Sequence, residues 1–323
     1  MKKSGRIVRK KRAADWAVDT TVDLGPVSLP NPIVAASGTF GHGDEVATLC
    51  DPHGLGAVTV KSVAAFAWSG NPPLRVAEAP AGGMLNSVGL PGPGVDAWIE
   101  HDLPALEARG ARVIASIWGR RVDEYAAATR PLKSVAHRLA ALEVNLSCPN
   151  VEARNDVFAH SADATNGAMR AVVDSIGDAL PTFAKLSPNV TDIVAIAHAA
   201  IDAGATGLTL VNSVMGLLVN ADTRAPRLGS GGGGYTGAPI KPIALRAVWD
   251  VSRAFPGVPI IGTGGVSTGC DAIEMMLAGA TAVGVGTATF ADPRATLRIV
   301  DEMREWCAVN RVPTARELIG GMR

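Results

Sequence analysis

The segment EVNLSCPNVE, residues 143–152, leaves an apolar, alternating run through a lone thiol. That thiol, Cys148, is stiffened by Pro149 and flanked by the amides of Asn145 and Asn150. Two lysines also stand out: Lys61 directly follows AVTV, and Lys185 sits within FAKLSP. Lysine is rarely buried without a partner. Two at matched depth in an apolar interior point to an anionic ligand, or to one whose negative charge grows during a reaction. Asn86, Asn145, Asn150, Asn212 and Ser213 fall at strand ends or in long loops. Amides both donate and accept, which suits a flat heterocycle with alternating C=O and N–H groups. Near the C-terminus, IIGTGGVSTG and AVGVGTATF place Gly264, Gly265, Gly286 and Thr287 where strands finish and helices begin. Glycine there lets backbone N–H groups approach an anion, and helix N-termini add a favourable dipole. A phosphate site is the expectation.

The elements that must hold these groups follow a repeating pattern. Short β-branched or alanine-rich runs cover residues 33–36, 57–60, 112–117, 142–146, 182–186, 207–211, 258–262 and 281–285. Several lack clean alternation, as strands buried on both faces should. Between them, residues 191–203, 241–255 and 271–278 have helical period, with Gly204 and Gly279 as stop signals. Eight βα units indicate a (β/α)8 TIM barrel, preceded by a hairpin in DTTVDLGPVSLPNP. A doubly wound open sheet is the runner-up. Long connections at residues 62–90, 147–165 and 212–237 would rise from the C-terminal face, where such barrels keep their chemistry, and this puts Cys148 at a pocket mouth. The formal G-x-G-x-x-G at Gly229–Gly234 follows a polar stretch rather than a strand, so it reads as a mobile loop.

Composition limits the alternatives. The 323 residues are 47% hydrophobic, enough for one large core. Basic and acidic residues balance at 30 each, so no global charge points to nucleic acid or membrane. Seven of the bases fall within residues 1–12, leaving 23 against 30 acids elsewhere. Residues 1–14 read as a basic disordered tail before a single domain over 15–323. There is no apolar run of transmembrane length and no signal-peptide pattern. Cys50, Cys148, Cys270 and Cys307 are scattered, which argues against disulfides, a metal or an iron–sulfur site in this chain and suits the cytoplasm. From the residues alone, a barrel lyase using Lys185 as a Schiff-base amine and a non-catalytic binding barrel stay open. The lyase gives no reason for NLSCPN.

The motifs NPIVAASGTFG, TVKS, NSVGLPGPG, NLSCPN, KLSPNVTDI, TGAPIKPIALR, IIGTGGVS and AGATAVGVGTATF occur in that order. Together the chain resembles the class 1 dihydroorotate dehydrogenases over residues 20–310, and is most similar to the class 1B catalytic subunit. The resemblance implies FMN-dependent oxidation of dihydroorotate to orotate in pyrimidine biosynthesis. It implies FMN contacts from Ser37, Lys61, Ser62, Ser116, Asn145, Lys185, Val211 and Gly237, with Gly264, Gly265, Gly286 and Thr287 at the phosphate. Ser116 stands where relatives usually carry asparagine. Substrate would meet Lys61, Asn86, Ser87, Val88, Gly89, Leu90, Asn145, Asn150, Asn212 and Ser213.

On this reading Cys148 is the general base that takes the C5 proton, with Lys61 at the substrate carboxylate and Lys185 stabilising charge on the reduced flavin. The resemblance also implies a homodimeric core and a separate FAD and [2Fe–2S] subunit passing electrons to NAD+. A fumarate-linked class 1A homodimer, or a related flavin-dependent dihydropyrimidine dehydrogenase-like enzyme, is the alternative.

Overall fold

Eight short strands close into a parallel barrel in the computed structural model, which describes residues 17–147, 149–150 and 156–322. They are β1 (Ile33–Ala35), β2 (Ala57–Thr59), β3 (Val113–Ile117), β4 (Ala141–Asn145), β5 (Thr182–Leu186), β6 (Gly207–Leu210), β7 (Ile260–Thr263) and β8 (Ala282–Val285). Neighbours follow chain order, and β8 returns to β1 through Val283 paired with Ile33. Every residue of all eight strands is buried. Helices cover the outer face and side chains fill the inner one, so Val, Ile, Leu and Ala dominate, with polar residues such as Glu143, Asn145 and Lys185 interspersed. The open-sheet alternative is thereby excluded. The expected tail over residues 1–14 and the thiol of Cys148 lie outside the described residues.

Helices follow most strands: Val122–Leu132 after β3, Ala162–Ile176 after β4, Ile193–Asp202 after β5, Lys241–Ala254 after β6, Gly269–Leu277 after β7 and Ala295–Asn310 after β8. Their starts carry side-chain caps. Ser161 accepts from Ala164 N, Asp192 from Ala195 N, and Thr268 forms a reciprocal box with Asp271. Each such cap satisfies an orphan N–H and contributes about 1 kcal/mol. The first connection departs from the expected βα unit. It carries turns and one 3-10 turn, Pro52–Gly54, because Gly38 and Gly41 (φ +89° and +100°) bend the chain where a helix would start.

The N-terminal hairpin, Val22–Leu24 with Val27–Leu29, buries Val22, Leu24 and Leu29 at the barrel's lower end beside Thr206 and Pro259. The opposite end is roofed by a four-stranded antiparallel sheet made from two of the long connections. Its order is Val76–Ala79, Gly83–Asn86, Gly233–Gly237, Val214–Gly216. The glycine run read as a mobile loop therefore continues into a strand. Glycine is needed there because a Cβ on Gly233 would press on the Asn86 carbonyl oxygen, and one on Gly234 on the Ser213 side chain.

Candidate active site

A cavity of about 1120 Å³ opens over the C-terminal ends of the barrel strands, under the roof sheet. Lys61 enters it just past β2, Asn145 ends β4, and Lys185 points in from β5. Val211, Asn212 and Ser213 follow β6 along its wall, and the segment Asn86 to Leu90 closes the side opposite. Ser37, Ser62 and Gly237 also face it. Asn150 pairs through its backbone with Asp156. Among the described cysteines none lines the cavity.

The floor is a continuous polar network, built by strand register. Side chains alternate along a strand, so Glu143 and Asn145 share the interior face of β4. Parallel pairing sets Lys185 level with Asn145 on one side and Thr209 on the other, and Ser116 level with Glu143. Glu143, 2% exposed, accepts hydrogen bonds from Thr209 Oγ1 at 3.0 Å and Ser116 Oγ at 3.3 Å. Lys185 Nζ lies 3.6 Å from its Oε1. Removing one member of such a buried pair typically costs about 3–5 kcal/mol, because the other is left uncompensated. Ser116 is fully buried behind Ser62, at 2.9 Å, rather than on the cavity wall. Asn145 Nδ2 donates to Ser62 Oγ at 3.1 Å, and Asn212 Nδ2 donates to Asn145 Oδ1 at 3.4 Å. Tyr125 OH holds the end of β4 by donating to the Asn145 carbonyl at 2.8 Å.

Lys61 differs from Lys185. Among the described residues it has no carboxylate in salt-bridge range, and burial lowers its pKa, with the charges of Lys185 and Arg75 adding to the effect. A cation so placed favours an incoming anion. Ser147 Oγ, also on the wall, is a buried hydroxyl with no hydrogen-bond partner among the described residues.

At the other end of the cavity, the turns after β7 and β8 face the same space. Gly264 and Gly265 have φ of +130° and +76°, and a Cβ on either would lie 2.7 or 2.6 Å from Ala244 or Lys241. Only glycine lets the helix Lys241–Ala254 pack against this turn while its N–H groups stay open to an anion. Gly286 and Thr287 complete the wall. Arg298 flanks it, held by Asp292 at 3.2 Å and Glu302 at 2.6 Å, and donates to the Ser267 carbonyl at 3.2 Å.

Three residues escaped the sequence reading. Glu143 had a signal, an acid inside the apolar run LEVNL, two places before Asn145 and hence on its face. Tyr125 and Asn189 had none, since a helix tyrosine and a loop amide are ordinary until their partners are known.

Fold and cavity define a TIM-barrel enzyme with positive-φ glycine turns at one end of its chamber and a lysine- and amide-lined pocket at the other. The dihydroorotate dehydrogenase family model matches residues 20–306. The dihydroorotate dehydrogenase B (NAD(+)) catalytic subunit of Geobacter sulfurreducens is 42% identical over 304 residues, 94% of this chain and 98% of that one. Those of Alkaliphilus metalliredigens and Desulforudis audaxviator are each 43% identical, over 94% of this chain and 99% and 97% of theirs. The chain belongs to the dihydroorotate dehydrogenase family.

Proposed function

We infer that this chain oxidises (S)-dihydroorotate to orotate with FMN as its cofactor, a step of pyrimidine biosynthesis. The residues fit FMN. The positive-φ glycines line the chamber at a turn packed so tightly on the helix Lys241–Ala254 that any Cβ would strike it, the chamber is large enough for a flavin and a pyrimidine together, and the amides and serines supply mixed donors and acceptors for a planar heterocycle. Bound there, FMN supplies the two-electron acceptor for the hydride equivalent leaving C6 of the substrate.

The remaining work falls to side chains. Lys61, half-buried and without a carboxylate partner among the described residues, binds the substrate carboxylate. Asn86, Asn145, Asn150, Asn212 and Ser213 orient the ring, with Ser87 to Leu90 closing over it. Cys148, as thiolate, takes the proton from C5. A thiol's ordinary pKa near 8.5 is lowered by neighbouring cations or donors, which makes it a usable base near neutral pH. Lys185, backed by Glu143, stabilises negative charge that accumulates during reduction. Ser37, Ser62, Val211 and Gly237 border the cofactor, with Ser116 supporting Ser62 from behind. The single observation that carries this reading is that both lysines, Asn86, Asn145, Asn212 and both glycine turns open onto one cavity in a chain of this family. Purified protein should be yellow and bleach anaerobically on adding dihydroorotate. A protein that retains flavin but does not bleach would remove the substrate assignment.

The curated relatives are named NAD(+)-linked catalytic subunits, which supports a partner subunit that takes the electrons. We assign it FAD and a [2Fe–2S] centre, with NAD+ as terminal acceptor. The roof sheet leaves Met215 and nearby Leu217 and Val219 more than half exposed, which supports a homodimeric core. Among the described residues no helix is long and apolar enough to cross a membrane, in keeping with a cytoplasmic setting. Turnover of fumarate by the isolated chain would favour the fumarate-linked alternative.

A further inference from the structure

We propose that Glu143 is a positioning residue for Lys185. Its carboxylate holds the lysine ammonium at the cavity wall and offsets its charge, and thereby sets how strongly the site favours the reduced cofactor. This rests on the FMN reading above.

The geometry is specific. Three groups converge on the carboxylate from three strands: Thr209 from β6 and Ser116 from β3 donate to its two oxygens, and the Lys185 ammonium approaches the oxygen that Ser116 uses. Such a donor set suits an ionised carboxylate, which can only accept. Glu143 is 2% exposed and the Lys185 side chain 8%, so bulk water screens their interaction poorly. The same carboxylate reaches the cavity by a second route, through Ser116 to Ser62 and on to Asn145. Of the three charged groups closest to the floor, Lys61 and Lys185 are positive and Glu143 negative. One positive charge is therefore left over, and it resides on Lys61 at the wall. Neutralising Glu143 would leave two, a stronger pull on the negative charge that arrives with reduction.

The test uses the full-length, FMN-loaded protein and a redox-dye equilibrium titration, which reads the potential and not turnover. Glu143→Gln should shift the oxidised–reduced equilibrium toward the reduced form by about tenfold, roughly 30 mV upward for a two-electron couple. Glu143→Asp, which keeps the charge, should recover most of the wild-type potential. In a Lys185→Met background the Glu143→Gln shift should shrink to a minor fraction. An unchanged potential in Glu143→Gln, or the same shift with and without Lys185, overturns the proposal. If Glu143→Gln fails to fold or to keep FMN, thermal melts decide. The double variant leaves neither member of the pair uncompensated and should melt above both single variants; absence of that recovery overturns the pairing. A wild-type protein that never takes up FMN counts against the cofactor assignment, while the same melts still test the pairing.

Discussion

The side-chain amide of Asn189 donates to the Ser213 carbonyl oxygen at 3.0 Å, joining the loop after β5 to the loop after β6. The same side chain accepts from Met215 N at 2.8 Å and donates to Ser187 Oγ at 2.8 Å. Asn189 thus braces the segment carrying Asn212 and Ser213 without lining the cavity itself. Asn189→Ala removes three bonds from a half-buried turn, each worth about 1 kcal/mol. We expect KM for dihydroorotate to rise roughly tenfold with FMN retained. Steady-state kinetics beside a flavin-to-protein ratio checks this; loss of flavin with unchanged KM would place Asn189 in the cofactor's support instead.

Lys61 should make substrate binding sensitive to alkaline pH. Burial, then the charges of Lys185 and Arg75, lower its pKa from the usual 10.5. In the ligand-free protein it loses its proton earlier than in the unfolded chain, so between the lowered value and 10.5 the unfolded state binds more protons. Stability of the ligand-free protein should therefore gain from Lys61 as pH rises through that window. Affinity for the anionic substrate should fall over the same window as the ammonium is lost. Lys61→Met should abolish both trends and weaken binding by roughly ten- to a hundredfold, the worth of a charge-assisted contact. Calorimetric melts and substrate titrations across alkaline pH read the two effects separately.

The proposed phosphate turn should tolerate no side chain. Gly265→Ala forces an alanine to φ +76°, with its Cβ 2.6 Å from Lys241 Cβ. Strain of this kind costs about 1–3 kcal/mol, and relief by moving the turn would misplace the N–H groups. The expected outcome is a paler protein with a lower melting temperature. Gly167 is the control: a Cβ there meets nothing within 4 Å in the helix Ala162–Ile176. Gly167→Ala should keep full colour and gain about 0.5–1 kcal/mol from helix propensity.

Cys148→Ala should keep FMN but reduce it with dihydroorotate roughly 10²–10⁴-fold more slowly, the usual worth of a placed general base. Stopped-flow reduction under anaerobic conditions measures this step directly. A variant that bleaches at the wild-type rate would remove Cys148 from the mechanism.

Much of this was legible in the linear chain. All eight barrel strands lie within two residues of the runs picked out by β-branched and alanine content, because a strand covered on both faces demands an apolar side chain at nearly every position. The glycines after β7 and β8 were legible for a different reason: their role depends on backbone conformation, which is local. The first connection was misread as a βα unit, since the count of strands implies a helix that its own glycines forbid. Within the run from Gly229 to Gly234, only Gly233 and Gly234 were misread as loop, because the strand they pair with, which includes Asn86, lies far away in sequence.

Taken alone, the sequence determined the barrel, its glycine turns, and the presence of two lysines and a set of amides at strand ends. These rest on local periodicity and residue type, which act over a few residues. Only the tertiary structure decided that Lys185 pairs with Glu143, itself held by Thr209, while Lys61 has no carboxylate partner among the described residues, and that Ser116 stands behind Ser62 instead of on the wall. Those outcomes depend on the register between parallel strands and on closure of the barrel. Both are settled by packing across the whole core, so no stretch of the chain carries them by itself.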